Sequence, residues 1–198
     1  WKECVAAGDC TAPGDLTSNT RSDYYENSTY DNYPVIHVSW TQMSEYCSWA
    51  GKRLPTEAEW EKAARGGCDV VAPTECGLED ERQYPWGDPA PTCSLLNWVV
   101  CLGDTEEVGA ASPAGDSPYG AQDMAGNVGE WVSDWYRDSY YTSSPSTNPT
   151  GPARGVFRVA RGGSFYSSSL GVTVYVRDKW DPAFQNFGQG GRCAKSAP

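Results

Sequence analysis

The stretch Gly51-Lys52-Arg53-Leu54-Pro55-Thr56-Glu57-Ala58-Glu59-Trp60-Glu61 carries the most readable local structure in the chain. Thr56 stands before the run and Glu59 follows three residues later, the spacing of a capping box in which side chains satisfy the free backbone donors of a helix start. This predicts a helix to about Ala64 that stops at Gly66-Gly67. Upstream, Tyr33-Pro34-Val35-Ile36-His37-Val38-Ser39-Trp40 reads as a short β-type run ending in a second helix start, where Ser39 or Thr41 can cap. Met43, Tyr46, Cys47 and Trp49 then suit one buried face, and Gly51 terminates that helix.

Downstream, Gly67 to Pro118 has little periodicity and many breakers, so it reads as a long loop region stapled by bridges. An ordered block follows from Tyr119 through Val132 to Tyr136. A Ser/Pro/Asn/Thr-rich connector spans Ser143 to Gly151, and Phe157-Arg158-Val159-Ala160-Arg161 reads as a strand. Val172, Val174 and Val176 alternate as in a further strand.

The 198 residues, 39% of them hydrophobic, suffice for one core, and one domain over 1–198 is expected. Lys+Arg 15 against Asp+Glu 26 gives a net charge of -11, the wrong sign for tracking phosphates, so nucleic acid is not expected as a partner. No apolar run approaches the roughly 20 residues of a membrane-spanning helix, and no membrane insertion is expected. Eight cysteines, none in a tight Cys-x-x-Cys pair, with one histidine, point to disulfides rather than zinc. Local spacings such as Cys4 to Cys10, Cys68 to Cys76 and Cys93 to Cys101 fit stapled loops. They place the chain outside the cytoplasm, secreted or on a cell or virion surface.

Taken together, Pro34 to Trp40, Gly51 to Glu61, Tyr84-Pro85-Trp86-Gly87, Met124 to Trp131 and Arg161-Gly162-Gly163-Ser164 resemble the sulfatase-modifying factor family, that of the formylglycine-generating enzyme. The blocks occur in the family's order from about residue 30 onward. The resemblance implies an α+β, irregular C-type lectin-like fold with small antiparallel sheets, two main helices and long loops. It also implies a disulfide between Cys47 and Cys193, although the closing motif here is Gly190-Gly191-Arg192-Cys193 where the family has Gly-Phe-Arg-Cys.

Family members that oxidise a sulfatase cysteine carry two redox cysteines, the first three residues after the Gly-Gly-Ser serine and the second five beyond. Those positions are Ser167 and Val172, and neither side chain replaces a thiolate as copper ligand or redox group. Relatives that bind iron use a histidine triad, which His37 alone cannot make. His37, in an apolar run, reads as a core or sheet-surface residue, and Glu57 with Glu61 reads as a solvated helix face rather than an acid-base pair. No catalytic residue is assigned.

Asn127 and Glu130, with the carbonyls between them, are expected to converge on a structural Ca²⁺, an ion that favours mixed oxygen shells. The resemblance implies this site and a second one, which maps onto Asn97, the carbonyl of Trp98, Asp104 and the carbonyl of Glu106.

From Phe165 to Phe187 the chain mixes large aromatic rings with small polar residues, the composition of an adaptable contact surface. In the family's enzymes this stretch builds the active-site groove. It also resembles the variable region of diversity-generating retroelement proteins. Candidate ligand contacts are Tyr166, Ser167, Ser168, Ser169, Gly171, Tyr175, Asp178, Trp180, Asp181, Phe184, Asn186 and Phe187. Val172, Val174 and Tyr175 are the core candidates among their neighbours. The reading is a non-catalytic module that binds a protein or other surface ligand through its C-terminal face. The alternative is an oxidoreductase related to the formylglycine-generating enzyme with a non-standard active site.

Overall fold

The computed structural model describes residues 1–67, 70 and 82–196, so the Cys68–Cys76 spacing lies outside the described residues. Among the described residues three α-helices, α1 (Lys2–Ala7), α2 (Trp40–Trp49) and α3 (Glu57–Arg65), precede four short strands. These are β1 (Gly129–Trp135), β2 (Arg158–Arg161), β3 (Asp178–Trp180) and β4 (Gln189–Gly191).

Both larger helices start where a local hydrogen-bond exchange is available. Ser39, not Thr41, caps α2, accepting from the Gln42 N–H while Gln42 accepts from the Ser39 N–H at 2.9 Å. Thr56 and Glu59 make the same exchange at α3, and Gly66, with φ 86°, ends it in a backbone conformation open to glycine. Met43 and Cys47 of α2 are buried, but Tyr46 is only half-buried and Trp49 is exposed. α1, not foreseen, is six residues long and is tied by the Cys4–Cys10 disulfide.

The strands form one sheet in the order β3-β2-β1-β4. β1 pairs antiparallel with β2 and β2 with β3, whereas β4 runs parallel to β1, so the sheet is mixed. β4 is Gln-Gly-Gly for a steric reason: a Cβ on Gly190 would stand 2.7 Å from the Val35 carbonyl oxygen, and one on Gly191 2.8 Å from Met43 Cγ. Residues alternate across the sheet. Trp131 and Ala160 turn to the α2 side with Val38, Met43, Cys47 and Leu54, and Val132 and Val159 turn to the α3 side with Trp60 and Ala64. The Cys47–Cys193 disulfide joins α2 to the end of the chain, and Cys93–Cys101 closes a loop.

Two expected strands are absent. Residues 33–39 are irregular because His37 adopts φ 56°; its N–H donates to the Asn186 carbonyl and its carbonyl accepts from Gly14, two separate segments that make no ladder. Residues 172–176 form turns, with Val172 and Val174 buried but Tyr175 52% exposed, which corrects its placement in the core. The strand falls later, at β3.

Candidate functional site

The C-terminal segment runs from β2 around to β4, and its residues gather in groups. In the first, Asn186 Nδ2 donates to the Tyr166 hydroxyl at 2.9 Å, and Tyr166 and Phe187 meet edge-on with centroids 5.4 Å apart. His37 lies edge-on to Phe187, so the residue that reads as a core or sheet-surface histidine borders this group on a left-handed backbone. Burial lowers the His37 pKa, and Asp15 partly opposes this. In the second group Trp180 stacks on Phe184 at 4.5 Å, and Asp181 Oδ1 accepts from the Ala183 N–H. Asp178 shares β3 with Trp180.

The serines are used for turns. Ser167 Oγ accepts from the Ser164 N–H at 3.0 Å, Ser168 Oγ accepts from the Gly171 N–H, and the Ser169 carbonyl accepts from Tyr84. Tyr175 points elsewhere, into a cavity with Glu61, Arg65, Arg82 and Gln83. Of the two positions where redox thiols are implied, Ser167 thus bonds to backbone, and Val172 is 0% exposed among Tyr84, Leu96 and Ala125. Among the described residues no cysteine is free.

Glu57 is not part of a solvated helix face. It is 1% exposed, and Arg177 grips both its oxygens, with Nε–Oε1 2.6 Å and Nη2–Oε2 2.8 Å. Arg161, fully buried, donates to Glu61 at 2.6 Å. These pairs join residues 100 and 120 positions apart, beyond the reach of a local reading. They are a structural buttress beneath β2, each charge answered by its opposite.

The two expected cation sites differ in fit. Glu130 is already neutralised by Arg192, whose Nε and Nη2 each lie 2.6 Å from its oxygens, and it also accepts from Trp60 Nε1. Asn127 Oδ1 accepts from the Glu106 N–H, and Asn127 Nδ2 donates to the Glu106 carbonyl. This pair therefore does not fit a shared Ca²⁺. The second set does fit a hard cation. Asn97 Nδ2 donates to the Asp104 carbonyl at 2.7 Å, leaving Asn97 Oδ1 buried with no donor. Burial pushes the Asp104 carboxyl up, but bonds from Ser18, Thr20 and Thr105 outweigh it and hold the group ionised, below its ordinary value. The Trp98 and Glu106 carbonyls accept from the Cys101 N–H and Asn127 Nδ2 and can share a second lone pair. Among the described residues no three His, Cys, Asp or Glu side chains converge on a metal position, so a cation here would rest largely on carbonyl oxygens.

The helices and the small curled mixed sheet, joined by much irregular chain, define a C-type lectin-like domain. The chain matches the family model described as "Sulfatase-modifying factor enzyme 1-like domain" over residues 1–197, and it belongs to that family. It is 39% identical over 179 residues to the formylglycine-generating enzyme of Streptomyces coelicolor, covering 84% of this chain and 54% of that protein. It is 38% identical over 176 residues to the hercynine oxygenase of Mycolicibacterium thermoresistibile, covering 86% of this chain and 35% of that protein. The chain thus spans about half the length of the first relative and about a third of the second. The solved structure of Treponema denticola variable protein 1 superposes with a TM-score of 0.70 at 22% identity, covering 95% of this chain and 78% of that one, a likeness of fold.

Proposed function

We propose that the chain is a non-catalytic, ligand-binding member of its family, with residues between Tyr166 and Phe187 as the contact surface. The observation that carries this reading is the pair Ser167 and Val172 at the positions of the implied redox thiols. A hydroxyl bonded to backbone and an isopropyl group sealed in the core supply neither a soft copper ligand nor a two-electron couple. The surrounding rings are held by an edge-on contact and a stack, which limits the entropy lost when a ligand orders them.

The test is an anaerobic Cu(I) titration followed by incubation with a cysteine-containing sulfatase peptide in air. No stoichiometric copper uptake and an unchanged peptide mass are expected. Conversion of the peptide cysteine to formylglycine would overturn the reading and favour the second one, an oxidoreductase with a non-standard site, to which the enzyme relatives lend weight.

The fold shared with a variable protein supports a finer version, in which retroelement mutagenesis diversifies the contact codons. Sequencing the gene across its host population should then show substitutions concentrated at Tyr166 to Gly171 and Asp178 to Phe187; an invariant segment removes this version. A structural Ca²⁺ on Asn97 and Asp104, with the Trp98 and Glu106 carbonyls, fits the unpaired Asn97 oxygen. Calcium should raise the melting temperature relative to EDTA, and Asn97→Ala should abolish that difference. Three disulfides among the described residues support an extracytoplasmic location.

A further inference from the structure

Trp135, Arg158 and Trp180 are register partners across β1, β2 and β3, so they form a row on one face of the sheet. The Arg158 guanidinium is sandwiched between Trp40 and Trp135, 3.6 and 3.5 Å from their ring centroids, and donates to the Ser133 carbonyl at 2.6 Å. It is thereby committed to the sheet.

Trp180, the last ring in the row, is placed alike but finished differently. One of its faces is backed by Phe184, it is 38% exposed, and among the described residues no cation lies over it. Asp178, two residues earlier, shares that face by strand alternation. Its half-buried carboxylate accepts no hydrogen bond and makes no ion pair with any described residue within contact distance. Lys179, between them, turns to the other face, its Nζ 4.8 Å from the Tyr136 centroid. A partly desolvated, unpaired carboxylate beside an open indole face is the complement of a planar cation.

We propose that Asp178 and the exposed indole of Trp180 form a subsite for a guanidinium side chain of a basic protein partner, the ring stacking on the cation and the carboxylate accepting its N–H groups. The proposal deepens, and rests on, the reading of this segment as a binding surface. The net charge of -11 attracts a basic partner at long range, and the Trp40–Arg158–Trp135 sandwich shows the same chemistry satisfied from within the chain. Arginine is preferred over lysine because its flat fork can stack and donate at once.

The test is fluorescence anisotropy of labelled oligo-arginine and oligo-lysine peptides with the whole chain at physiological salt. Oligo-arginine should bind more tightly than oligo-lysine. Asp178→Asn and Trp180→Ala should each weaken it about tenfold, Trp180→Phe should weaken it less, and Glu26→Gln, in an exposed turn outside the C-terminal segment, should leave it unchanged. Thermal melts of each variant separate lost binding from lost folding. Equal losses for Asp178→Asn and Glu26→Gln, a Trp180→Ala chain that binds like the parent, or absence of peptide binding would overturn the proposal. Peptide-cysteine turnover in the copper assay, with the arginine subsite intact, would instead remove only the non-catalytic reading.

Discussion

Glu57 is buried and Asp178 half-buried, and the two acids differ in how their charge is answered. Glu57 has a bidentate guanidinium, so Glu57→Ala strands Arg177 and should cost about 3–5 kcal/mol in urea unfolding. Among the described residues Asp178 has no such partner. Burial raises its pKa, only partly countered by Arg161, so the folded chain holds that proton more tightly than the unfolded chain does. Its contribution to stability is therefore present below the ordinary aspartate value and lost as pH rises through the raised one. Asp178→Asn should melt higher than the parent at neutral pH, and the gap should close on acidification. Failure of the gap to narrow would show that Asp178 titrates normally. Neither environment was legible in the sequence, because both depend on arginines brought near by the sheet. The thiol positions were legible, because a missing sulfur needs no fold to be noticed.

At the scale of elements, the two capped helices were readable because each start is decided within four residues. Thr56→Ala removes one half of the α3 exchange and should cost about 1 kcal/mol, seen as a lower urea midpoint with unchanged slope. The strands were harder to read. Alternation in Val172, Val174 and Val176 reported burial of the first two without a ladder, and the apolar run before α2 was turned by one left-handed residue, His37. β4 has almost no side chains, so no pattern could announce it; its glycines answer to Val35 and Met43, far away in sequence. Gly191→Ala should therefore cost about 1–3 kcal/mol through overpacking on Met43, and a variant as stable as the parent would show that Met43 simply moves aside.

For the whole molecule, the Cys47–Cys193 disulfide spans 146 positions and clamps the closing strand to α2. Replacing both cysteines by alanine should cost about 4–5 kcal/mol on a chain-entropy account, checked by urea unfolding of the oxidised parent and the double variant. The family blocks foretold this bridge and the general architecture. The partition of the C-terminal segment into a Tyr166–Asn186–Phe187 group and a Trp180–Phe184 group awaited the fold, as did the departure of Tyr175 from both. The parallel pairing of β4 with β1 has a further consequence in time. Gln189 lies 60 positions after Gly129, so during synthesis β1 emerges from the ribosome well before the strand that completes its edge. Non-local pairings of this kind are slow to form. The nascent chain must wait with an open sheet edge until Gln189–Gly191 have emerged, and a chaperone or a prompt disulfide catalyst would shorten that wait.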